Sequence, residues 1–140
     1  AIRSDKVRAI IAYEPGGTPF IFPETEMPKI TEARFKALSA SAMGVPMEDF
    51  LKLTRIPIVL YYGDYIKVGS DNVGEDKWGT EYAMAQQFVD TINRHGGDAT
   101  LVHLPDIGIK GNSHFLMQEK NNKQIMELAL TWLHEKGLDK

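Results

Sequence analysis

The sequence predicts an α/β fold built on a parallel sheet. Three apolar, β-branched runs stand out: VRAIIAY (7–13), IPIVLYYG (56–63) and ATLVHLP (99–105). They are near-continuous, the pattern of strands covered on both faces. Helical patterns alternate with them, as a parallel sheet requires. Each run ends in turn chemistry: Glu-Pro-Gly-Gly, then Gly-Asp, then Pro105.

The elements follow in order. The first strand, 7–13, gives way to a long insertion, 15–55. Within it GGTPFIFPETEMPKI is rich in Pro and aromatics and is expected to be irregular. ITEARFKALSASAMG is expected to be helical, and PMEDFLKL to form a second short helix opened by Pro46. An insertion at the carboxyl edge of a strand builds a pocket wall or lid; simple cover for the sheet is the equal alternative. The second strand, 56–63, leads into a polar loop, 63–79. Its acidic residues do not follow the D-x-[DN]-x-[DN]-G calcium pattern, so no metal is assigned. A helix is expected from Lys77 to His95, with Met84, Phe88 and Ile92 at i, i+4, i+8 and a Gly-Gly stop. The third strand, 99–105, precedes a Gly-rich loop. The last helix, Glu119 to Lys136, carries Ile125, Leu128, Ala129, Trp132 and Leu133 and closes at Gly137.

Three strands are few for a sheet covered on both faces, and one edge is left open. The expectation is that residues 1–140 are the C-terminal segment of one larger domain, with the missing strands upstream of Ala1. The 140-residue length suits one domain. A net charge of -3, with Lys and Arg scattered, argues against nucleic acid and a membrane surface. There is no apolar run of the ~20 residues that span a bilayer. The absence of cysteine excludes disulfides, zinc-thiolate sites and a cysteine nucleophile within the chain.

Chemistry in an open α/β sheet sits at the carboxyl ends of the strands. There this chain places Glu14, Asp64 and, beyond the Gly-rich loop, His114. Two carboxylates and an imidazole on one edge suit a charge-stabilised base: the imidazole takes a serine's proton, and a carboxylate fixes its tautomer. The bland alternative is an exposed loop histidine and two turn residues. His95 at a helix end, His103 in a strand and His134 on the solvent side of the last helix are ordinary. No G-x-S-x-G turn occurs, and Ser4, Ser39, Ser41, Ser70 and Ser113 are in the wrong context for one.

AIIAYEPGG, IPIVLYYGD, NRHGGDATLVHLPDIGIKGNSHFLMQEKNN and the closing helix with Trp132 resemble the C-terminal part of α/β-hydrolases. The resemblance covers nearly the whole chain. It is strongest to a bacterial serine-esterase branch, the Alcaligenes-type esterases. It implies the C-terminal part of the α/β-hydrolase sheet, incomplete without an N-terminal half that carries the G-x-S-x-G serine. It implies His114 as the triad base and Glu14 of the E-P-G turn as the acid, with Asp64 the alternative acid. Phe20, Phe22 and Phe115 are expected to line the substrate pocket. The implied function is a serine carboxylesterase acting on a small ester without cofactor, inactive as this chain alone. A homo-oligomer is open, and the compartment leans only weakly to secreted or periplasmic. Rival readings are an inactive fragment, a non-catalytic α/β module that binds a partner through its open sheet edge, and hydrolysis of an amide or carbon–carbon bond.

Overall fold

The structure is a computed structural model that describes residues 1–140. Along the chain run β1 (Ile10–Tyr13), β2 (Phe20–Pro23), β3 (Ala42–Val45), α1 (Met47–Phe50), β4 (Pro57–Tyr62), α2 (Val73–Arg94), β5 (Asp98–His103) and α3 (Asn122–Glu135). β1, β4 and β5 form a parallel sheet in the order β1-β4-β5. Tyr13 lies level with Tyr61, and Tyr62 with His103. That register sets the ends of all three strands on one edge.

β4 is the central strand, and its alternation sorts the core. Ile58, Leu60 and Tyr62 face one way and join Met84, Phe88 and Ile92 of α2. Val59 and Tyr61 face the other way and join Ile125, Ala129 and Trp132 of α3. Two-residue periodicity on a strand buried on both faces produces this split. Each buried Val, Leu, Ile, Met or Phe among them contributes about 1.5–3 kcal/mol. α2 begins at Val73, four residues before the expected Lys77. Asn72 explains the difference: its side chain accepts from the N–H groups of Gly74 (2.9 Å) and Glu75 (3.2 Å), a full N-cap. Asn72, not the apolar pattern, sets the start.

The insertion corrects two expectations. FIFP, expected to be irregular, is β2; the end of the expected helix, from Ala42, belongs instead to β3 (Ala42–Val45). The two pair in parallel, Phe20 opposite Ala42 and Pro23 opposite Val45. The only helical turn in between is Lys36–Leu38. The Ala- and Leu-rich composition favours helix locally, but pairing with β2 over α2 overrides it. The segment from 26 to 38 is fastened along α2. Gln87 exchanges two hydrogen bonds with the Lys29 main chain (3.1 and 2.9 Å). Asp76 accepts from the Phe35 N–H (3.1 Å), and Thr80 donates to the Leu38 carbonyl (3.4 Å). His95 meets Glu26 at 3.1 Å. No helix is long and apolar enough to cross a membrane.

Candidate active site

β1 ends in a tight turn at Glu14. The Glu14 N–H continues the ladder to the Tyr61 carbonyl (2.8 Å). Its own φ is then +43°, a region that costs a non-glycine residue about 1–3 kcal/mol. The side chain turns inward and is 5% exposed. Oε1 accepts from the Gly63 N–H. Oε2 is buried and has no hydrogen-bond partner. Burial pushes this carboxyl up to about 7, against the opposing pull of the Gly63 N–H. The rest of the turn is clamped. The Tyr62 hydroxyl donates to the Pro15 carbonyl (2.7 Å), and the Gly17 N–H donates to Glu81 Oε1 (3.3 Å). Glu81 is itself buried, and its other oxygen is also unpartnered.

β4 ends at Gly63-Asp64, and here the chemistry differs. Both Asp64 oxygens are committed to main chain: Oδ2 accepts from Gly111 (3.0 Å), Oδ1 from Tyr65 (2.9 Å). The Gly111 N–H, then the Tyr65 N–H, hold this carboxyl below the usual aspartate value. The Asp64 N–H donates to the Asn112 carbonyl (2.8 Å). Asp64 thus grips the loop that carries His114 at two points, the Gly111 N–H and the Asn112 carbonyl.

That loop is held further along. Asn112 is 2% exposed. Its side chain is paired with the Asn121 amide in both directions (2.7 and 3.0 Å). Ser113 donates through N–H (2.9 Å) and hydroxyl (2.5 Å) to Glu119 Oε1. His114 is half-buried between aromatics. Its ring stacks on Trp78, 4.6 Å between centroids at 23°, and lies 4.0 Å from Phe115. Burial, then the positive charge of Lys77, lowers its pKa.

Gly63 joins the two halves. A Cβ there would lie 2.6 Å from the Asn112 carbonyl, 2.9 Å from Glu14 Oε1 and 3.0 Å from the Ser113 carbonyl. The Glu14 carboxylate and the peptide before His114 therefore touch the same α-carbon. The imidazole itself makes no hydrogen bond to Glu14; it rests on the indole.

Phe20 and Phe22, expected at the pocket, are core residues. Both pack on Phe88 of α2, at 5.7 and 6.2 Å, because alternate positions of β2 face the same helix. Phe115 stays beside His114 and is half exposed. His95 caps α2, His103 meets Asp106 (3.2 Å) and His134 meets Asp139 (2.7 Å). A cleft of about 850 Å³ lies along α2 between Glu26, Asp90 and Arg94 and is lined by none of Glu14, Asp64 and His114. The sequence reading missed Trp78, Glu81 and Glu119. For Trp78 and Glu81 a signal existed: a helix that follows a parallel strand starts at the carboxyl edge of the sheet, so its first turns face the site.

No family model matches the chain. Known proteins do. A structure described as that of a novel bacterial esterase aligns with 63% of this chain at 35% identity, with a TM-score of 0.55. The fold is that of part of an α/β-hydrolase. The aligned part is 26% of that esterase. A probable secreted lipase from a fungal species is 38% identical over 55 residues, 39% of this chain and 14% of the lipase. The chain thus spans a minor part of each relative's length.

Proposed function

We propose that this chain carries the base and the acid of a serine hydrolase that cleaves carboxylic esters. The nucleophilic serine stands on a G-x-S-x-G turn outside residues 1–140. One observation carries the reading most: Glu14 is buried on a strained turn with one oxygen unpartnered, against the backbone of the His114 loop. A buried acceptor without a donor is costly, and an imidazole N–H is the donor a triad supplies. The likeness to an esterase and to a secreted lipase supports ester chemistry and secretion. The E-P-G turn and the G-N-S-H-F segment support the Alcaligenes-type branch.

The steps follow from general acid–base chemistry. The serine oxygen attacks the ester carbonyl as His114 takes its proton. The tetrahedral intermediate expels the alcohol, which leaves with the proton from the imidazolium. Water then attacks the acyl-enzyme, again deprotonated by His114, and the acid departs as the serine is regenerated. Glu14 orients the imidazole and stabilises its cation. Asp64, with both oxygens bound to main chain, anchors the loop. Phe115 borders the substrate.

The test uses the complete protein and a fluorophosphonate probe read by peptide mass spectrometry. The expected result is one labelled serine outside residues 1–140 and loss of labelling in His114→Ala. Full labelling in His114→Ala overturns the reading. So does an unlabelled complete protein, which favours a non-catalytic module.

A further inference from the structure

Trp78 touches both sides of the site. It lies near the start of α2, 36 residues before His114, and its ring is nearly parallel to the imidazole at 4.6 Å. On its other contact it meets the turn that bears Glu14: a Cβ on Gly16 would fall 2.6 Å from Trp78 Cζ3 and 3.1 Å from Cη2. The Gly16 α-carbon therefore rests on the indole. The turn is also fastened to α2 through the Gly17 N–H to Glu81 bond. One rigid side chain on a 22-residue helix supports the acid's turn and the base's ring together.

The loop's other ties flank His114: Glu119 takes the Ser113 N–H and hydroxyl, and the Phe115 main chain bonds Ser113 and Gln118. The His114 side chain has no hydrogen bond of its own, so packing on Trp78 and Phe115 sets its orientation. Phe115 is 49% exposed and sits on the same loop, so it moves with the histidine and is a poor reference. Trp78 belongs to the scaffold. Offset stacking on an indole face restrains an imidazole in plane and distance, and a cation formed on that ring is favoured over the same face.

We infer that Trp78 is a positioning residue: its indole is the common support that holds the His114 imidazole within reach of Glu14. This rests on the reading of His114 and Glu14 as base and acid. Loss of the support misplaces the base without removing it. Misplacement costs about 10- to 100-fold in kcat and leaves KM within about threefold, because Trp78 is not needed to bind the ester.

The experiment compares Trp78→Leu, Trp78→Phe, Gly16→Ala and His114→Ala in the complete protein, with ester turnover and histidine ring NMR. The His114 signal is assigned by its disappearance in His114→Ala. The expected results are an upfield ring-current shift of that signal in the wild type, lost in Trp78→Leu, with the fall in kcat stated above. Trp78→Phe recovers most of kcat. Gly16→Ala, which pushes the indole aside, lowers kcat less when Trp78 is already Leu, because the two act on one contact. Wild-type kcat and KM in Trp78→Leu, alongside an inactive His114→Ala, overturn the inference and leave the base assignment standing. An active His114→Ala overturns the base assignment and the inference with it. If the Trp78 variants do not fold, the wild-type spectrum decides: a His114 signal at solvent-exposed positions overturns the stack.

Discussion

The turns after β1 and β4 look alike in sequence and differ in chemistry. Each places a carboxylate just past an apolar parallel strand, on the same edge of the sheet. Glu14 is buried, with one oxygen on the Gly63 N–H and the other without a partner. Asp64 is more open and spends both oxygens on main-chain donors. Burial raises the first carboxyl and hydrogen bonds lower the second. An acid that is to orient a histidine needs a free, desolvated lone pair; an acid that holds a loop needs none. Hydrogen-bond accounting separates the two roles where residue type and position do not.

The largest effect that sharpens this contrast is on turnover. In the complete protein Glu14→Gln is expected to lower kcat roughly 10³- to 10⁴-fold, the scale for losing a triad carboxylate. Asp64→Asn is expected to cost about tenfold or less. Steady-state kinetics on both variants checks it, and the reverse order makes Asp64 the acid.

Next comes Gly63→Ala, which attacks the point where the two turns meet. Its methyl collides with two carbonyls and the Glu14 carboxylate. The expected destabilisation is about 2–3 kcal/mol, read by urea unfolding, with turnover falling as well. Wild-type stability breaks the picture of a shared contact.

Smaller effects concern pH. Glu14 has a raised pKa in the folded state, so between about 4.5 and 7 the folded protein holds a proton that the unfolded chain has lost. Its effect on stability is therefore most favourable below pH 4.5 and falls as pH rises toward 7. Glu14→Gln removes that decline and is expected to add about 1–2 kcal/mol at pH 8 and nothing at pH 4. Thermal unfolding at both values measures it. The sign is opposite for Asp64. Its depressed pKa adds stability above its unfolded value and loses it as pH falls through the folded one. Asp64→Asn is expected to cost about 1 kcal/mol at pH 7, small because the group is solvent-screened, and less near pH 3.

The main sheet and its two helices were legible because their signal is local. β1, β4 and β5 are apolar runs, and α2 and α3 repeat apolar residues at helical spacing. The insertion was not legible in this way. β2 and β3 are four residues each, and neither is a strand without the other or without α2 beneath. Their stability is a property of contacts about 22 residues apart in register, which no local window contains. The site divides along the same line. Glu14, Asp64 and His114 stand out as ionisable residues at strand ends or on a Gly-rich loop. The residues that hold them are distant partners: Trp78 for His114, Asn121 for Asn112, Glu81 for the Gly17 turn. Phe20 and Phe22 misled because an aromatic near a site and an aromatic in a core read alike until the facing helix is known.

The fastening of the insertion to α2 has a consequence for how the molecule opens. Glu26, Lys29, Phe35 and Leu38 are each tied to a side chain of α2 or its cap, and the same helix carries Trp78 and Glu81. Amide hydrogen exchange should therefore find β2, β3 and α2 losing protection as one cooperative unit. An event that frees the insertion would then reach the histidine through the helix.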